Sequence, residues 1–289
     1  MGPHAKGLIV TTLGVLFVVP DSLFVKLIVA DPMVTAFWRG ITSGVLILLG
    51  LLAVEGTSGF RAVLTSGWPG WIYILLIGST APAFVLAVTH TSVANVVFIF
   101  ASMPVFAAIF GRVFLGEPIS RRMVLTMLAV MTGLGIIAYG SGDSAIASWK
   151  GDAIAFYVSA AYAAALTAVR KVRAISMIPA IPVGYIGVGL LIWPFVAPMA
   201  PVPAQWHLLA MHGAFIAVAT CLLTLGPRFI NSAEVSLLIL LESVLAPILV
   251  WAVVGEHPGR WAIAGGAVVI GALLVSNLIV LLRRPRAGT

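Results

Sequence analysis

The chain has 289 residues, 61% of them hydrophobic and only 9% charged, with a mean hydropathy of +1.15. A soluble domain carries roughly 25% charged residues, so a water-facing globule is excluded and lipid must be the solvent for most of the surface. Lipid admits only helices and closed barrels, and the apolar runs here reach ~20 residues without the alternation of a barrel strand. The net charge of +7 could mark a nucleic-acid partner, but Lys and Arg collected in cytoplasmic loops explain it better.

Ten spans are predicted in chain order. The first five lie at 7–29, 34–54, 68–89, 92–115 and 122–140. The second five lie at 150–170, 179–198, 206–226, 232–254 and 260–282. Each is near the ~20 residues that cross ~30 Å of hydrocarbon. The first run is interrupted by Pro20 and Asp21 and has no small-residue cleavage site near its end, so it reads as a retained helix and not a signal peptide. Asp31-Pro32, His90-Thr91, Gly116–Arg121 and Gly255–Gly259 are short connections. Longer loops with Gly, Pro and Ser are expected at 55–67, 141–149 and 199–205, with no soluble domain and no long tail. The single cysteine, Cys221, lies inside an apolar run and cannot form an intramolecular disulfide.

Positive charge sets the orientation. With the N-terminus inside, the inner side holds Lys6, Arg61, Arg112, Arg121, Arg122, Arg170, Lys171, Arg173, Arg228, Arg283, Arg284 and Arg286. The outer half keeps only Lys26, Arg39, Lys150 and Arg260. This bias places both termini in the cytoplasm, which requires an even number of spans.

The chain also repeats itself. Residues from Phe98 to Tyr139 run apolar helix, Gly-Glu, a short turn with Arg, apolar helix. The same order starts again at Leu237, 139 positions on. Gly116-Glu117 matches Gly255-Glu256, and Arg121 matches Arg260. Two units follow, 7–140 and 150–282. Five spans per unit is an odd number, so the second copy is inverted relative to the first, the architecture of many secondary transporters. The expected fold class is therefore an all-α integral membrane protein of ten transmembrane helices in two inverted five-helix repeats.

These features resemble the EamA repeat of the drug/metabolite transporter superfamily. The first copy carries Met103-Pro104, Gly116-Glu117 and Gly133-x-Gly135; the second carries Glu242-Ser243, Gly255-Glu256, Gly265-Gly266 and Gly271. The halves open similarly too, with Gly7, Lys26 and Asp31-Pro32 before Phe37-Trp38-Arg39 in one, and Lys150-Gly151 before Arg170-Lys171 in the other. The second copy departs from the pattern with Ser243 in place of Pro104, and Pro247 follows four residues later. The resemblance implies a transporter with a central cavity and alternating access, without ATPase or cofactor, in a bacterial-type inner membrane. Similar members export amino acids or other small metabolites, the aromatic amino-acid exporters being near in length and layout. Others move sugars, drugs, nucleosides or sugar phosphates.

Polar groups inside a membrane are costly and face a cavity or each other. Glu242 falls at the centre of span 232–254. It can bind a substrate ammonium, carry a proton or pair with a cation; the plainer reading is a carboxyl that hydrogen-bonds two helices together. Asp21 and Arg39 lie at similar depth on helices joined by a tight turn, so an ion pair is expected, either structural or opening an outer gate. Lys26, nearer the interface, can compete or snorkel. Pro20 and Pro104, each within a span, mark helix kinks. Tyr157, Tyr162, Trp38, His90, Asn95 and Met103 are candidates for the cavity. Trp68, Trp149, Trp206 and Trp261 fit an interfacial belt. Glu117 and Glu256 are read as structural turns, each capping the helix that follows. Gly40-x-x-x-Gly44 and Gly266 to Gly271 fit helix packing.

Enzyme and metal readings lack their motifs: there is no H-E-x-x-H, G-x-S-x-G or G-x-x-x-x-G-K-[ST], and five dispersed histidines with one cysteine form no metal constellation. The expected partners are a small-molecule substrate and the lipid bilayer, with no nucleic acid and no oligomeric state implied. A proton-coupled drug exporter and a non-transporting scaffold or lipid-handling protein stay open as alternatives.

Overall fold

A computed structural model describes residues 2–142, 147–172, 175–226, 229–230 and 232–282. Arg173, Arg228, Arg283, Arg284 and Arg286, used above for orientation, lie outside the described residues. Among those described, the regular structure is helical and no strand occurs.

The first span is two helices, α1 (Pro3–Val18) and α2 (Asp21–Leu27), separated at Val19-Pro20. Proline has no N–H to give and its ring displaces the carbonyl four residues back, so the helix stops there and restarts at Asp21. Helix α3 (Pro32–Val54) starts on an Asp31 cap, whose Oδ1 accepts from the Met33 N–H at 2.8 Å. The segment 55–67, expected to be a loop, contains a short helix, α4 (Ser58–Leu64). Its Val63 is buried in one cluster with Met177, and Gly59 lies against Pro179. Burial of that one face is what the loop composition did not reveal.

Helix α5 (Trp68–His90) runs through Pro82 without a break. The next span is again divided, into α6 (Val93–Phe100) and α7 (Met103–Leu115), with Ala101 and Ser102 between them. Pro104 stands in the first turn of α7, where a missing N–H costs nothing. The discontinuity therefore precedes this proline. Helices α8 (Arg121–Ser141) and α9 (Trp149–Lys171) follow.

The span expected at 179–198 is shorter than expected. It comprises α10 (Ala180–Ile192) and one 3₁₀ turn, Trp193–Phe195. Pro194 lies in that turn and Pro198 follows, so the helix cannot continue. Its 16 residues rise ~24 Å, less than the ~30 Å of hydrocarbon. Helices α11 (Val202–Leu225), α12 (Ser232–Val254) and α13 (Arg260–Leu282) complete the chain, and α12 passes through Pro247 intact. Among the described residues, nine helical stretches are long and apolar enough to cross a membrane, with α1–α2 and α6–α7 each counted once; the α10 stretch is the shorter tenth.

Helix α5 packs along α9, α8 along α13, α1 along α11, and α3 against both α10 and α11. Close approach explains the tightest of these seams. A methyl on Gly133 of α8 would come within 2.7 Å of the Gly265 carbonyl oxygen on α13, and one on Gly265 within 2.5 Å of the Gly133 carbonyl oxygen. Only hydrogen side chains permit these backbones to touch.

Two faces can be told apart by contacts between helix ends. Lys171 lies over Trp68 at 5.3 Å, and Met177 lies near Gly70, on the face where α1 begins. On the opposite face Gly151 meets the His90–Thr91 backbone, Lys26 reaches Glu256, and Gln205 bonds the Val29 backbone.

Candidate functional site: a polar centre inside an apolar bundle

The break at Pro20 puts Asp21 at the head of α2, inside the bundle and 2% exposed. Helix α3 brings Arg39 opposite. Its Nε donates to Asp21 Oδ1 at 2.9 Å and its Nη2 to Oδ2 at 2.6 Å, a bidentate pair. A third helix, α11, brings His212, whose Nε2 lies 2.7 Å from Asp21 Oδ1. His212 is 1% exposed and stacks on Phe24 at 5.4 Å, while the Arg39 guanidinium lies 5.4 Å from the Phe84 ring centre. In lipid-like surroundings such a carboxylate is tolerable only with this many donors.

Glu242 of α12 is 8% exposed and lies within electrostatic reach of Asp21 and Arg39. It differs from Asp21 in one respect: it makes no hydrogen bond or ion pair among the described residues. Three tyrosines complete the centre, Tyr73 and Tyr185 buried and Tyr162 half-buried. Tyr185 of α10 lies beside Arg39, Tyr162 of α9 lies within reach of Tyr185 and Glu242, and Tyr73 of α5 lies near both of these tyrosines. Tyr162 also meets Phe100 edge-on at 5.8 Å. Six helices from both halves of the chain thus supply one charged and aromatic centre, besides α2.

The other candidate residues lie elsewhere. Tyr157 is 45% exposed, with its hydroxyl 2.7 Å from Ser79 Oγ, on the seam between α5 and α9. Trp38 donates its indole N–H to the Pro198 carbonyl at 2.6 Å, holding α3 to the segment after α10. His90 bonds the Leu86 carbonyl of its own helix at 2.8 Å. Met103, half-buried, opens α7 next to the break. Asn95 belongs to a second buried cluster, on the face opposite the start of α1. There Asp152 Oδ1 accepts from Thr91 Oγ1 at 2.7 Å and Asn95 Nδ2 at 2.9 Å, and Asp152 Oδ2 accepts from Ser141 Oγ at 2.5 Å.

Glu117 and Glu256 follow glycines in the left-handed region, Gly116 at φ +70° and Gly255 at φ +73°. Neither caps the next helix in the expected way. The cap of α8 is Ser120, accepting from the Met123 N–H at 3.2 Å. Glu117 Oε1 accepts instead from Arg170 at 2.6 Å. Glu256 Oε2 pairs with Lys26 at 2.7 Å, and its Oε1 accepts from the Val93 N–H, at the start of α6, at 2.7 Å.

Two cavities, of about 230 Å³ and about 900 Å³, open on the Glu256 face. The smaller is lined by Asn95 and Arg260 among others, the larger by Asp31, Phe195 and Gln205, and Glu242 lines neither.

His212, Tyr185, Tyr73 and Asp152 were not singled out by sequence. His212 carried the same signal as Asp21, a titratable group well inside an apolar run. Asp152 escaped notice because it stands in the first turn of its span, where water was expected.

A bundle of this length and apolarity, with charged side chains held at its middle, is a multi-pass membrane protein. The sequence pattern of the EamA-like transporter family matches residues 5–139, from α1 into α8. No curated protein matches the chain. A solved structure titled "Crystal structure of protein" is similar, with a TM-score of 0.67 over 97% of this chain and 100% of that one. At 15% identity it shows likeness of fold alone.

Proposed function

We propose that this chain is a secondary-active transporter that exports amino acids or related small metabolites by alternating access. It would span a bacterial-type inner membrane ten times as two inverted five-helix units, 7–140 and 150–282, with both termini cytoplasmic. The match of residues 5–139 to a transporter family supports the class. The packing supports the symmetry: exchanging the two units turns α5 on α9 into α11 on α1, and α3 on α11 into α10 on α5.

The observation that carries the reading is Glu242, a nearly buried carboxyl without a hydrogen-bond partner among the described residues, facing the polar centre. Such a group in a dry interior costs free energy unless a ligand or proton meets it. Arg39 is already engaged by both oxygens of Asp21, so Glu242 is the acceptor for a substrate ammonium. Tyr162 and Tyr185 offer hydroxyls and ring faces to the rest of the molecule.

The test is a screen of labelled amino acids in proteoliposomes, with Glu242→Gln as the variant. The expected result is uptake by the wild type and at least a tenfold lower rate in the folded variant. Wild-type rates in the variant would remove Glu242 from the mechanism. Rates that follow an imposed pH gradient would add a proton to the cycle, and vesicles that move no substrate class would favour the scaffold reading.

A further inference from the structure

The two Gly-Glu corners are linked to the rest of the chain in matching ways. Glu117, in the first half, holds Arg170 near the end of α9 in the second. Glu256, in the second half, holds Lys26 near the end of α2 in the first. Each pair therefore bridges the halves, and the two pairs lie on opposite faces. They differ in surroundings. The Lys26 and Glu256 side chains are 21% and 12% exposed, against 43% and 38% for Arg170 and Glu117. Glu256 alone also receives a backbone N–H, that of Val93.

What Glu256 holds is the tips of two half-helices. Helix α2 has 7 residues and is separated from α1 at Val19-Pro20; α6 has 8 residues and is separated from α7 at Ala101-Ser102. Both breaks lie within the bundle, so each piece has a joint at its inner end and its other tip at the face. There Gln205 also bonds the Val29 backbone just beyond α2, and Asn95 of α6 donates to Asp152 and Ser141. Pro20 at the first joint and Pro104 just after the second have no N–H to give. Although Ala101 and Ser102 still bond back to Val97 and Ile99, fewer backbone bonds cross the joints than cross a continuous helix, which makes rotation there cheaper. At its root α2 is anchored by the bonds of Asp21 to Arg39 and His212. At its tip Lys26 pairs with Glu256 at 2.7 Å. On the other face Arg170 belongs to α9, which is continuous over 23 residues.

We propose that α2 and α6 form a jointed gate over the polar centre, with the carboxylate of Glu256 as the one latch that touches both tips. One carboxylate bonds both tips through different oxygens, Oε2 to Lys26 and Oε1 to Val93, so each tip can be loosened separately and both loosen when the acceptor at 256 is lost. The Glu117–Arg170 pair is the corresponding latch of the other face, where it restrains a whole helix instead of a flap. An ion pair at a half-buried surface is strong enough to bias such a gate and weak enough to open thermally.

Gating presupposes the transporter reading, but the latch itself is tested without any substrate. Hydrogen exchange is measured on the full chain in lipid nanodiscs, for the wild type, Lys26→Met, Glu256→Gln, Glu117→Gln and the reversed pair Lys26→Glu/Glu256→Lys. Lys26→Met should speed exchange in 22–27 alone, about fivefold. Glu256→Gln should speed it mainly in 22–27, because the amide oxygen that remains can still accept the Val93 N–H. The reversed pair should restore protection to 22–27 and make 93–100 fast, because a lysine at 256 cannot accept the Val93 N–H. Glu117→Gln should act only near 166–171. Equal exchange in wild type and Glu256→Gln would overturn the latch, as would faster exchange spread evenly through α3, α9 and α12. Normal latch behaviour in a protein that transports nothing would instead count against the transporter reading.

Discussion

Replacing Asp21 by Asn tests the polar centre most directly. The carboxylate accepts two bonds from Arg39, at 2.9 and 2.6 Å, and lies 2.7 Å from His212 Nε2. An amide keeps one acceptor oxygen but turns an N–H₂ group towards another donor. The Arg39 guanidinium, 7% exposed, then stays buried without a counter-charge, and the Phe84 ring at 5.4 Å is a weak substitute. Breaking a buried pair by removing one partner costs about 3–5 kcal/mol, while the pair as a whole contributes far less, since both ions were desolvated to make it. Asp21→Asn and Arg39→Met should therefore each lower the unfolding free energy by about 3–5 kcal/mol, and the double variant should be more stable than either single one. Unfolding in mixed micelles, followed by a helical signal, gives all four values of the cycle. Single variants within about 1 kcal/mol of the wild type, or a double variant whose loss equals the sum of the two, would refute the account of a desolvated, mutually dependent pair.

The seam between α8 and α13 should behave as a contact between backbones. Gly133→Val, which collides with the Gly265 carbonyl, should cost about 1–3 kcal/mol, whereas Gly135→Val, with no atom within 4 Å, should stay within about 0.5 kcal/mol in the same unfolding assay. In the second buried cluster, Asp152→Leu strands donors from Thr91, Asn95 and Ser141. At about 1–3 kcal/mol for each orphaned group, its loss of stability should exceed that of Asn95→Leu, which leaves Asp152 two of these donors. Equal losses would show that Asp152 is not the hub.

The spans were legible because lipid imposes one rule on every residue of a run, and a window of apolar residues reads that rule directly. Pro20 and Asp21 were legible for the opposite reason: a proline and a charge inside such a run break it. What sequence did not give was the third partner. Nothing in a chain order of 21, 39 and 212 says that α11 carries His212 to Asp21, because that contact depends on how α11 packs on α1 and α3. The span at 179–198 was expected at full length because Pro179, Pro182, Pro194 and Pro198 lie in an apolar stretch that hydropathy alone counts as one span, whereas the helix reaches only from Ala180 to Ile192. Helix α4 was hidden by its Gly and Ser content, which local pattern reads as loop, while Val63 gains its burial from Met177 far along the chain. Glu117 and Glu256 were expected to cap their own next helices; the structure uses their charge across the halves instead.

The centre arises where the two proposed copies differ. At equivalent corners the copies agree closely, as Gly116 and Gly255 show with φ of +70° and +73°. Away from the corners, α1–α2 and α6–α7 are broken, while their counterparts α9 and α12 are continuous. Asp21 follows from one break, and its counterpart span α9 has Ala and Tyr through its middle. Glu242 stands on the continuous helix at the position equivalent to Met103, next to the other break. A strictly symmetric dimer of copies would have placed two carboxylates or two methionines across the axis. Two like carboxylates would repel one another and raise the cost of burial, and two methionines would give nothing for a charged group to meet. One glutamate near an aspartate whose charge Arg39 partly offsets lessens the repulsion and still leaves a single unpaired acceptor beside a satisfied ion pair. The asymmetry that weakens the repeat as a sequence signal is therefore what gives the middle of the bundle a direction and a chemistry.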